Sequence, residues 1–256
     1  MRRLRVLSLV LLVVVVAGAL AGCAGVGGAK KFTVATDASF PPMEFVDESK
    51  NIVGFDIDMM NAIAKAQGFT VEYKNTAWDG IFAGLESKAY DAVLSSVTIT
   101  DERKQKYDFS DPYINAGQAV VVRADETAIN SDKDLPKKTV GAQIGTTGAF
   151  AVQKIQGATL KEYDTIDLAL LDLVNKKVDA VVVDMPVAAD YALASKDFKG
   201  KLKIVGEPFT DEYYGLCVRK GDKALVTEFN AGLKKIKESG EYDKIYAKWI
   251  GGSKGK

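Results

Sequence analysis

The chain has 256 residues, with 34 basic and 34 acidic side chains, two cysteines and no histidine. The absence of histidine excludes metal sites built on imidazole and acid–base catalysis by histidine. The balanced charge argues against a nucleic acid partner, which would require a basic excess. The length suits one or two domains.

The first segment combines a basic start, "MRRLR", with the apolar stretch "VLSLVLLVVVVAGALAGC". This pattern predicts an export signal, and the apolar run is short for a membrane span of ~20 residues. Its end, "LAGC", resembles a bacterial lipobox, in which the cysteine becomes the lipidated first residue of the mature protein. We therefore expect a signal peptide over residues 1–22, lipidation at Cys23 and a flexible tether over residues 23–30. Removal of three signal arginines would leave a formal net charge of −3, since 31 basic and 34 acidic residues remain.

From residue 31 onward, short apolar runs alternate with segments of helical period. In chain order, the sequence predicts a strand in "KFTVATD", a helix in "GFDIDMMNAIAKAQG", a strand in "TVEYKN", a helix in "WDGIFAGLESKAY" and a strand in "DAVLSSVT". The alternation returns in "TVGAQIG", "IDLALLDLVNKK", "VDAVVVD" and "PVAADYALAS". The tail predicts two helices broken near Gly240. This rhythm indicates an α/β fold with mainly parallel sheets.

An internal similarity links two parts of the chain. "LESKAYDAVLSS" (residues 85–96) matches "LVNKKVDAVVVD" (residues 173–184) at Leu, Lys, Asp, Ala and Val. In both copies a helix leads into a strand, which ends at Ser96 in the first copy and at Asp184 in the second. Open α/β sheets bind ligands outside the carboxyl ends of their strands. We predict two lobes of shared architecture, with these two residues at equivalent strand ends.

Hydroxyl side chains follow the first of these strands, and a guanidinium comes shortly after them: Ser95, Ser96, Thr98 and then Arg103. Hydroxyls on a solvated strand face and a surface arginine on a helix would explain the same residues. In the second copy, "VGAQIGTTGAF" passes through Thr146 and Thr147 into a helix. The free N–H groups at a helix start favour an anion, but the lysine and spacing of a P-loop are missing. A single carboxylate fits this turn better.

Three segments together carry a family resemblance: "ATDASFPPMEFVDESKNIVGFDIDMMNAIAK", "SSVTITDERKQKYDFSDPYINAGQAVVVR" and "VGAQIGTTGAF". They resemble the polar amino-acid-binding proteins of bacterial ABC importers, solute-binding protein family 3, and look most like the arginine-binding members. The resemblance implies a type II periplasmic-binding-protein-like fold, in which two α/β lobes are joined by two hinge strands around a ligand cleft. The first lobe would cover residues 31–116 and 212–256, and the second residues 117–211.

The resemblance also assigns roles to individual residues. Arg103 would clamp the ligand α-carboxylate with two charge-assisted hydrogen bonds, aided by Thr98 and the backbone N–H of Thr147. Asp184 would bind the α-ammonium, with help from Ser96 and Thr98. The aromatic rings of Phe40 and Trp78, which lie in polar stretches that favour exposure, would sandwich the ligand side chain. The complete predicted set is Asp37, Phe40, Glu44, Trp78, Ser95, Ser96, Thr98, Arg103, Gln143, Thr146, Thr147 and Asp184.

The residues leave the choice of amino acid open. Asp37 and Glu44 would favour a cationic side chain, because a buried charge needs a partner, although Glu44 could equally be a surface charge. Glutamine-binding members resemble this chain in the same two acids. Gln143 replaces the lysine that those members tend to carry, which favours arginine. Lysine, histidine, ornithine and glutamine remain alternatives.

The expected protein is therefore a monomeric extracytoplasmic lipoprotein without a cofactor. It would capture a free L-amino acid by lobe closure and deliver it to an ABC permease, anchored to a membrane in the periplasm or at the cell surface. An enzyme similar to cyclohexadienyl dehydratases would need a general acid, and Asp184 already has a role. A sensory domain would normally adjoin a transmembrane helix. Cys217, in "GLCVRK", is expected to be a buried strand residue rather than a nucleophile, with no intramolecular disulfide.

Overall fold

The structure is a computed structural model that describes residues 30–251. The predicted signal peptide, the lipidation site Cys23 and nearly all of the tether lie outside the described residues. Within residues 30–251, no helix combines the length and apolar character needed to cross a bilayer.

Short strands make up the sheets of the described chain. They are β1 (Lys31–Thr36), β2 (Ser39–Phe40), β3 (Glu44–Val46), β4 (Ile52–Val53), β5 (Thr70–Asn75), β6 (Ala92–Val93), β7 (Tyr107–Phe109), β8 (Ile114–Asn115), β9 (Gln118–Arg123), β10 (Thr139–Gln143), β11 (Thr159–Tyr163), β12 (Ala180–Asp184), β13 (Leu202–Val205), β14 (Tyr213–Tyr214) and β15 (Cys217–Arg219).

Helices connect and cover these strands. They are α1 (Phe55–Gln67), α2 (Trp78–Glu86), α3 (Asp101–Lys106), α4 (Thr147–Lys154), α5 (Ile166–Val174), α6 (Met185–Ala189), α7 (Ala224–Glu238) and α8 (Glu241–Trp249), with a 3₁₀ turn at Asp132–Asp134 and a π-helical turn at Asp190–Ala194. Gly68 ends α1 in the left-handed conformation, and Gly240 separates α7 from α8 in the same conformation. Both helix breaks lie where the sequence predicts them.

Two five-stranded sheets form the cores of two lobes. The strand order is β5–β1–β6–β15–β7 in the first sheet and β11–β10–β12–β9–β13 in the second sheet. In each, a central strand and its two parallel neighbours are connected through helices: β1–α1–β5–α2–β6 in the first and β10–α4–β11–α5–β12 in the second. The two-lobed α/β fold is therefore confirmed.

The two similar segments form the same helix-to-strand connection, which leads into β6 in the first lobe and into β12 in the second. Lys88 and Lys176 both follow a helix in the left-handed conformation, with φ of 64° and 62°. Asp91 then accepts a hydrogen bond from the N–H of Thr33, as Asp179 does from that of Thr139, each at 2.8 Å. These carboxylates tie the incoming strand to the central strand, so the shared residues maintain shared geometry.

The prediction of mainly parallel sheets is correct for only half of the pairings in the two five-stranded sheets, and the smaller sheets β2–β3–β4 and β8–β14 are antiparallel. In the first sheet β15 pairs antiparallel with both β6 and β7, and in the second β9 pairs antiparallel with both β12 and β13. Both β9 and β15 follow segments that pass between the lobes, so they enter their sheets without a βαβ crossover. The short strands β8 and β14 pair antiparallel within these two segments, so they are the two hinge strands.

Candidate functional site

A narrow cavity of about 340 Å³ lies where the carboxyl ends of the two sheets meet. All twelve residues of the predicted set line it: Asp37, Phe40, Glu44, Trp78, Ser95, Ser96, Thr98, Arg103, Gln143, Thr146, Thr147 and Asp184. The structure thus brings the predicted residues together, while their role in binding stays a prediction.

The hydroxyls after β6 bind to an acid rather than to solvent. β6 ends at Val93, earlier than predicted, and the chain turns so that Ser95 and Ser96 each donate to Glu44, at 3.1 Å. Ser95 Oγ also accepts from the N–H of Asp37 at 2.9 Å. Glu44 is 1 % exposed, which excludes the alternative of a surface charge. Burial raises the pKa of Glu44 well above its ordinary value, and the neighbouring Asp56 adds to this effect.

The carboxylate of Asp37 connects the two lobes. Gln143, at the end of β10, donates from Nε2 to Asp37 Oδ2 at 3.1 Å, and Ser39 Oγ donates to Asp37 Oδ1 at 2.8 Å. Gln143 Nε2 also donates to the carbonyl of Asp164 at 3.0 Å, which orients the amide. Burial raises the pKa of Asp37, and these hydrogen bonds oppose the rise.

Arg103 also lines the cavity and is anchored by the start of its own helix. Thr100 caps α3 by accepting from the N–H of Arg103 at 3.1 Å. The guanidinium donates to the carbonyl of Thr98 at 2.9 Å, and it lies over the rings of Trp78 and Phe82 at 5.5 and 5.3 Å. Burial lowers the pKa of Arg103, but an arginine remains cationic at neutral pH. The cavity therefore has a fixed positive end.

The start of α4 faces Arg103 from the second lobe. Gly145 adopts φ of 68°, a left-handed turn that leads the chain from β10 into the helix. The hydroxyl of Thr146 donates to the carbonyl of Gln143 at 2.7 Å and accepts from the N–H of Ala149 at 3.2 Å. Its hydroxyl is thus used in the helix cap, which leaves the first N–H groups of α4 as the donors this turn can offer.

A chain of hydrogen bonds links the lobes beside this turn. Gln118 Nε2 donates to Thr147 Oγ1 at 3.2 Å, Thr147 and Thr98 hydroxyls lie 3.2 Å apart, and Thr98 Oγ1 donates to Glu212 Oε2 at 3.1 Å. Because an amide donor and a carboxylate fix the two ends, Thr147 donates to Thr98. Gln118 Nε2 also lies 3.1 Å from Asp184 Oδ1. Burial raises the pKa of Asp184 to about 7, and nearby Glu212 contributes.

The two predicted aromatic rings are buried, contrary to the expectation of exposure. Phe40 is 9 % and Trp78 8 % exposed, because each packs in a hydrophobic core cluster while it also lines the cavity. Cys217 is fully buried in β15, and burial raises the pKa of its thiol to about 12. The prediction that it is a buried strand residue is confirmed. Among residues 30–251, no cluster of acids and cysteines has the arrangement of a metal site.

Four residues at or next to the cavity were not predicted: Asp56, Phe82, Gln118 and Glu212. Asp56 carried a recognisable signal, because it precedes the core residues Met59, Met60 and Ile63 by three, four and seven positions and so shares their helix face. Phe82 follows Trp78 by one helical turn. Gln118 and Glu212 lie in the segments that pass between the lobes, where the sequence has no periodicity to read.

Residues 32–252 match the sequence profile of the bacterial extracellular solute-binding proteins, family 3. The chain belongs to this family. It is 41 % identical over 244 residues to a probable histidine-binding protein of Neisseria gonorrhoeae, covering 91 % of each chain.

Two solved structures are similar in both sequence and fold. The arginine-, lysine-, histidine-binding protein ArtJ of Geobacillus stearothermophilus has a TM-score of 0.81 and 41 % identity, with 87 % of this chain and 96 % of that one covered. An ancestral arginine-binding protein bound to glutamine has a TM-score of 0.81 and 44 % identity, with 88 % and 99 % covered. As a family member across nearly the whole described chain, this is an extracytoplasmic solute-binding protein rather than an enzyme.

Proposed function

We propose that this family member captures a polar L-amino acid, with arginine favoured, and delivers it to an ABC transporter permease. The observation that carries the proposal is the charge of the cavity lining: the guanidinium of Arg103 together with two buried acids, Asp37 and Glu44. Such a cavity complements a carboxylate at one end of a ligand and a cation at the other. The named relatives bind basic amino acids or glutamine, which supports the same ligand class.

Both lobes would share recognition of the ligand main chain. Arg103 would bind the α-carboxylate, because its guanidinium is fixed by the carbonyl of Thr98 and still has free donors for a bidentate contact. The N–H of Thr147 at the start of α4 would add a donor from the second lobe. Asp184, with Ser96 and Thr98 near it, would take the α-ammonium. A ligand that bridges these groups would stabilise the closed arrangement.

The first lobe would supply most of the recognition of the ligand side chain. Phe40 and Trp78 would contact its apolar or planar part, which contributes about 0.5–2 kcal/mol per cation–π contact depending on desolvation. Asp37 and Glu44 would bind a cationic end. Burial makes the two acids unfavourable as anions without a cation nearby. A ligand guanidinium would supply that cation in addition to their existing hydrogen bonds.

We further propose how the protein is organised in the cell envelope. The lobes would divide at residues 31–116 with 212–256 and at residues 117–211, and closure would occur about the segments between them. Cys23 would carry a lipid anchor after removal of residues 1–22, and the receptor would act as a monomer beside its permease. The mature chain would then be held at the membrane surface, in the periplasm or at the cell exterior.

Glutamine is a second candidate ligand, favoured by one observation. Gln143 Nε2 already donates a hydrogen bond of 3.1 Å to Asp37. The amide of a glutamine ligand could donate to Asp37 in its place. The solved relative with glutamine bound is an arginine-binding protein, so one cavity of this type accommodates both side chains. The two candidates differ in whether the distal acids need a cation.

A thermal-shift panel tests the proposal. The ligand-stripped, signal-free protein is heated with each of the twenty amino acids, ornithine and citrulline. A ligand at 100 times its Kd adds about 2.7 kcal/mol of stability, which gives a clear shift. We expect arginine to produce the largest shift and citrulline, its neutral isostere, a much smaller one. No shift with any amino acid would contradict the proposal, and a shift led by glutamine would replace arginine as the ligand.

A further inference from the structure

Glu44 and Asp56 form a pair of carboxyl groups with almost no contact with solvent. They are 1 % and 0 % exposed, and only Glu44 lines the cavity, so Asp56 lies behind it. The N–H of Asp56 donates to the carbonyl of Met43 at 3.0 Å, which places the first turn of α1 against β3. This approach requires Gly54, because a Cβ there would lie 2.2 Å from the same carbonyl oxygen.

Ser96 holds the two carboxyl groups side by side. Its Oγ donates to Glu44 Oε2 at 3.1 Å, while its N–H donates to Asp56 Oδ2 at 3.0 Å. The residue adopts φ of 51° to do so, a left-handed conformation that is uncommon outside glycine. The local backbone is therefore shaped around the pair.

The hydrogen bonds of Asp56 leave one oxygen for its neighbour. Oδ2 accepts from the Tyr113 hydroxyl at 2.7 Å and from Ser96. Oδ1 has no N–H or hydroxyl partner in the described part of the chain, and the Asp56 carboxyl contacts that of Glu44. Two carboxylate oxygens can form a hydrogen bond only when one carries a proton, so a single proton shared by Glu44 and Asp56 would satisfy Oδ1.

The surroundings favour that proton. Burial raises the pKa of Asp56 to about 7 and that of Glu44 well above its ordinary value. The charge of Asp56 raises the pKa of Glu44 further, whereas a hydrogen bond with Glu44 lowers that of Asp56, as expected if Glu44 carries the proton. The titratable groups that face the pair come from several elements and are Asp37, Tyr73, Tyr113, Tyr214 and Tyr242. None of these five side chains is a cation that would hold both acids ionised.

We propose that Asp56 sets the selectivity of the cleft by sharing one proton with Glu44, which is released when a cationic ligand side chain binds and kept when a neutral one binds. The inference rests on the proposed amino-acid-binding function. In the step, the O–H bond of the shared carboxyl breaks, the oxygen keeps the electron pair, and the proton leaves to solvent. The new carboxylate then accepts hydrogen bonds from the ligand guanidinium. Asp56 is thus a positioning residue that acts through Glu44.

Calorimetry of ligand binding in two buffers tests this proton release. Arginine and citrulline are titrated at about pH 6.5 in phosphate and in imidazole, whose ionisation enthalpies differ, so the buffer dependence gives the protons released per ligand. Binding of any α-ammonium can make Asp184 ionise and release a proton to solvent, so the measure is the difference between the two ligands. We expect arginine to release more than citrulline, by up to about one proton. Equal release would overturn the inference while leaving amino acid binding intact.

Variants identify the acids involved. Asp56→Asn and Glu44→Gln should each abolish the difference between arginine and citrulline. Asp58→Asn, two residues along the same helix at a surface contact with Lys248, should keep it. If Asp56→Asn and Glu44→Gln both kept the full difference in proton release between arginine and citrulline, the proton would come from another group and the proposal would be overturned. Using two variants keeps the test valid if either one fails to fold.

The pH dependence of the stability of the ligand-free protein provides a second test, which does not depend on the identity of the ligand. An acid whose pKa is raised by folding stabilises the protein at low pH, and this contribution is lost as pH rises from its unfolded pKa of ~4 through about 7. Stability should therefore fall over this interval less steeply in Asp56→Asn than in the wild type. Parallel curves would overturn the shared proton. If no amino acid bound, the proposed function would fail, and differing curves would still support the proton pair.

Discussion

The two sheets have the same strand order but carry different chemistry at their carboxyl ends. In the first lobe, Asp37 and Ser96 join a network of hydrogen bonds that also holds Glu44 and Ser95, all within that lobe. In the second lobe, Gln143 bonds outward to Asp37 of the first lobe and Thr147 to Thr98, whereas Asp184 bonds to Gln118 of the neighbouring strand β9.

This difference indicates how one architecture can serve two tasks. The first lobe has a rigid, prebuilt half-site with both the guanidinium and the distal acids. The second lobe adds Gln143 and Thr147, whose partners Asp37 and Thr98 are reached only when the lobes meet. We therefore expect changes in the first lobe to alter what binds, and changes in the second to alter how firmly the closed complex holds.

The largest effect is expected from Arg103→Ala. Truncating one partner of a buried charged hydrogen bond costs about 2–5 kcal/mol, so affinity for every amino acid should fall by between about 30-fold and several thousand-fold in calorimetry. Lys104→Ala, which removes the exposed neighbouring cation on the same helix, should leave affinity unchanged. A Kd for Arg103→Ala within threefold of the wild type would remove Arg103 from the site.

Asp184→Asn examines the second lobe's part in main-chain recognition. Loss of the ammonium partner should weaken all amino acids by about 30-fold, within the range for a broken charged pair. Since burial raises the pKa of Asp184 to about 7, the carboxyl is protonated at lower pH and must ionise to bind an ammonium. Affinity for citrulline should therefore tighten from pH 5 to pH 7 in the wild type and stay flat in Asp184→Asn. A similar slope in both proteins would contradict the assignment.

The comparison is sharpened by Asp37→Asn, a change confined to the side-chain end of the cavity. Arginine should weaken by about tenfold or more, because a buried charge–charge contact is replaced by a neutral one. Glutamine and citrulline should change by less than about threefold, since the amide keeps the shape of the carboxylate. Equal losses for cationic and neutral ligands, measured by calorimetry, would show that Asp37 does not read ligand charge.

The smallest effect concerns packing beneath the second-lobe turn. A Cβ on Gly148 would lie 2.8 Å from Gln118 Oε1 and 3.2 Å from the Val182 carbonyl, whereas one on Gly80 meets nothing within 4 Å. Gly148→Ala should lower the free energy of unfolding in urea by about 1 kcal/mol, since overpacking of about 1–3 kcal/mol exceeds the gain in helix propensity. Gly80→Ala should be neutral or stabilising. Equal stability of the two variants would exclude tight packing at Gly148.

The sequence could predict the site because both the β–α alternation and the residues at the strand ends can be read from short segments of the chain. Once the β–α alternation places parallel strands side by side, the polar residues at their ends gather at the carboxyl edge of each sheet, Ser96 in the first and Gln143 with Asp184 in the second. The family resemblance then brings Asp37 and Arg103 to the same place. Every residue predicted in this way lines one cavity.

The residues that could not be predicted depend on contacts between distant segments. Gln118 and Glu212 meet Thr98 and Thr147 only because two separate passages between the lobes lie together. The antiparallel entry of β9 and β15 has the same origin. Asp56 differs, since its place on an apolar helix face could be read from the sequence. Its pairing with Glu44 could not, because that pairing depends on the close approach of the chain at Gly54 to the Met43 carbonyl.

The most direct test of the account is a crystal structure of the protein with arginine bound. We predict the α-carboxylate on the guanidinium of Arg103, the α-ammonium on Asp184, and the ligand guanidinium within hydrogen-bond distance of Asp37 and Glu44. That arrangement would place main-chain recognition across both lobes and side-chain recognition in the first. Arginine bound in the reverse orientation, or outside this cavity, would contradict the account.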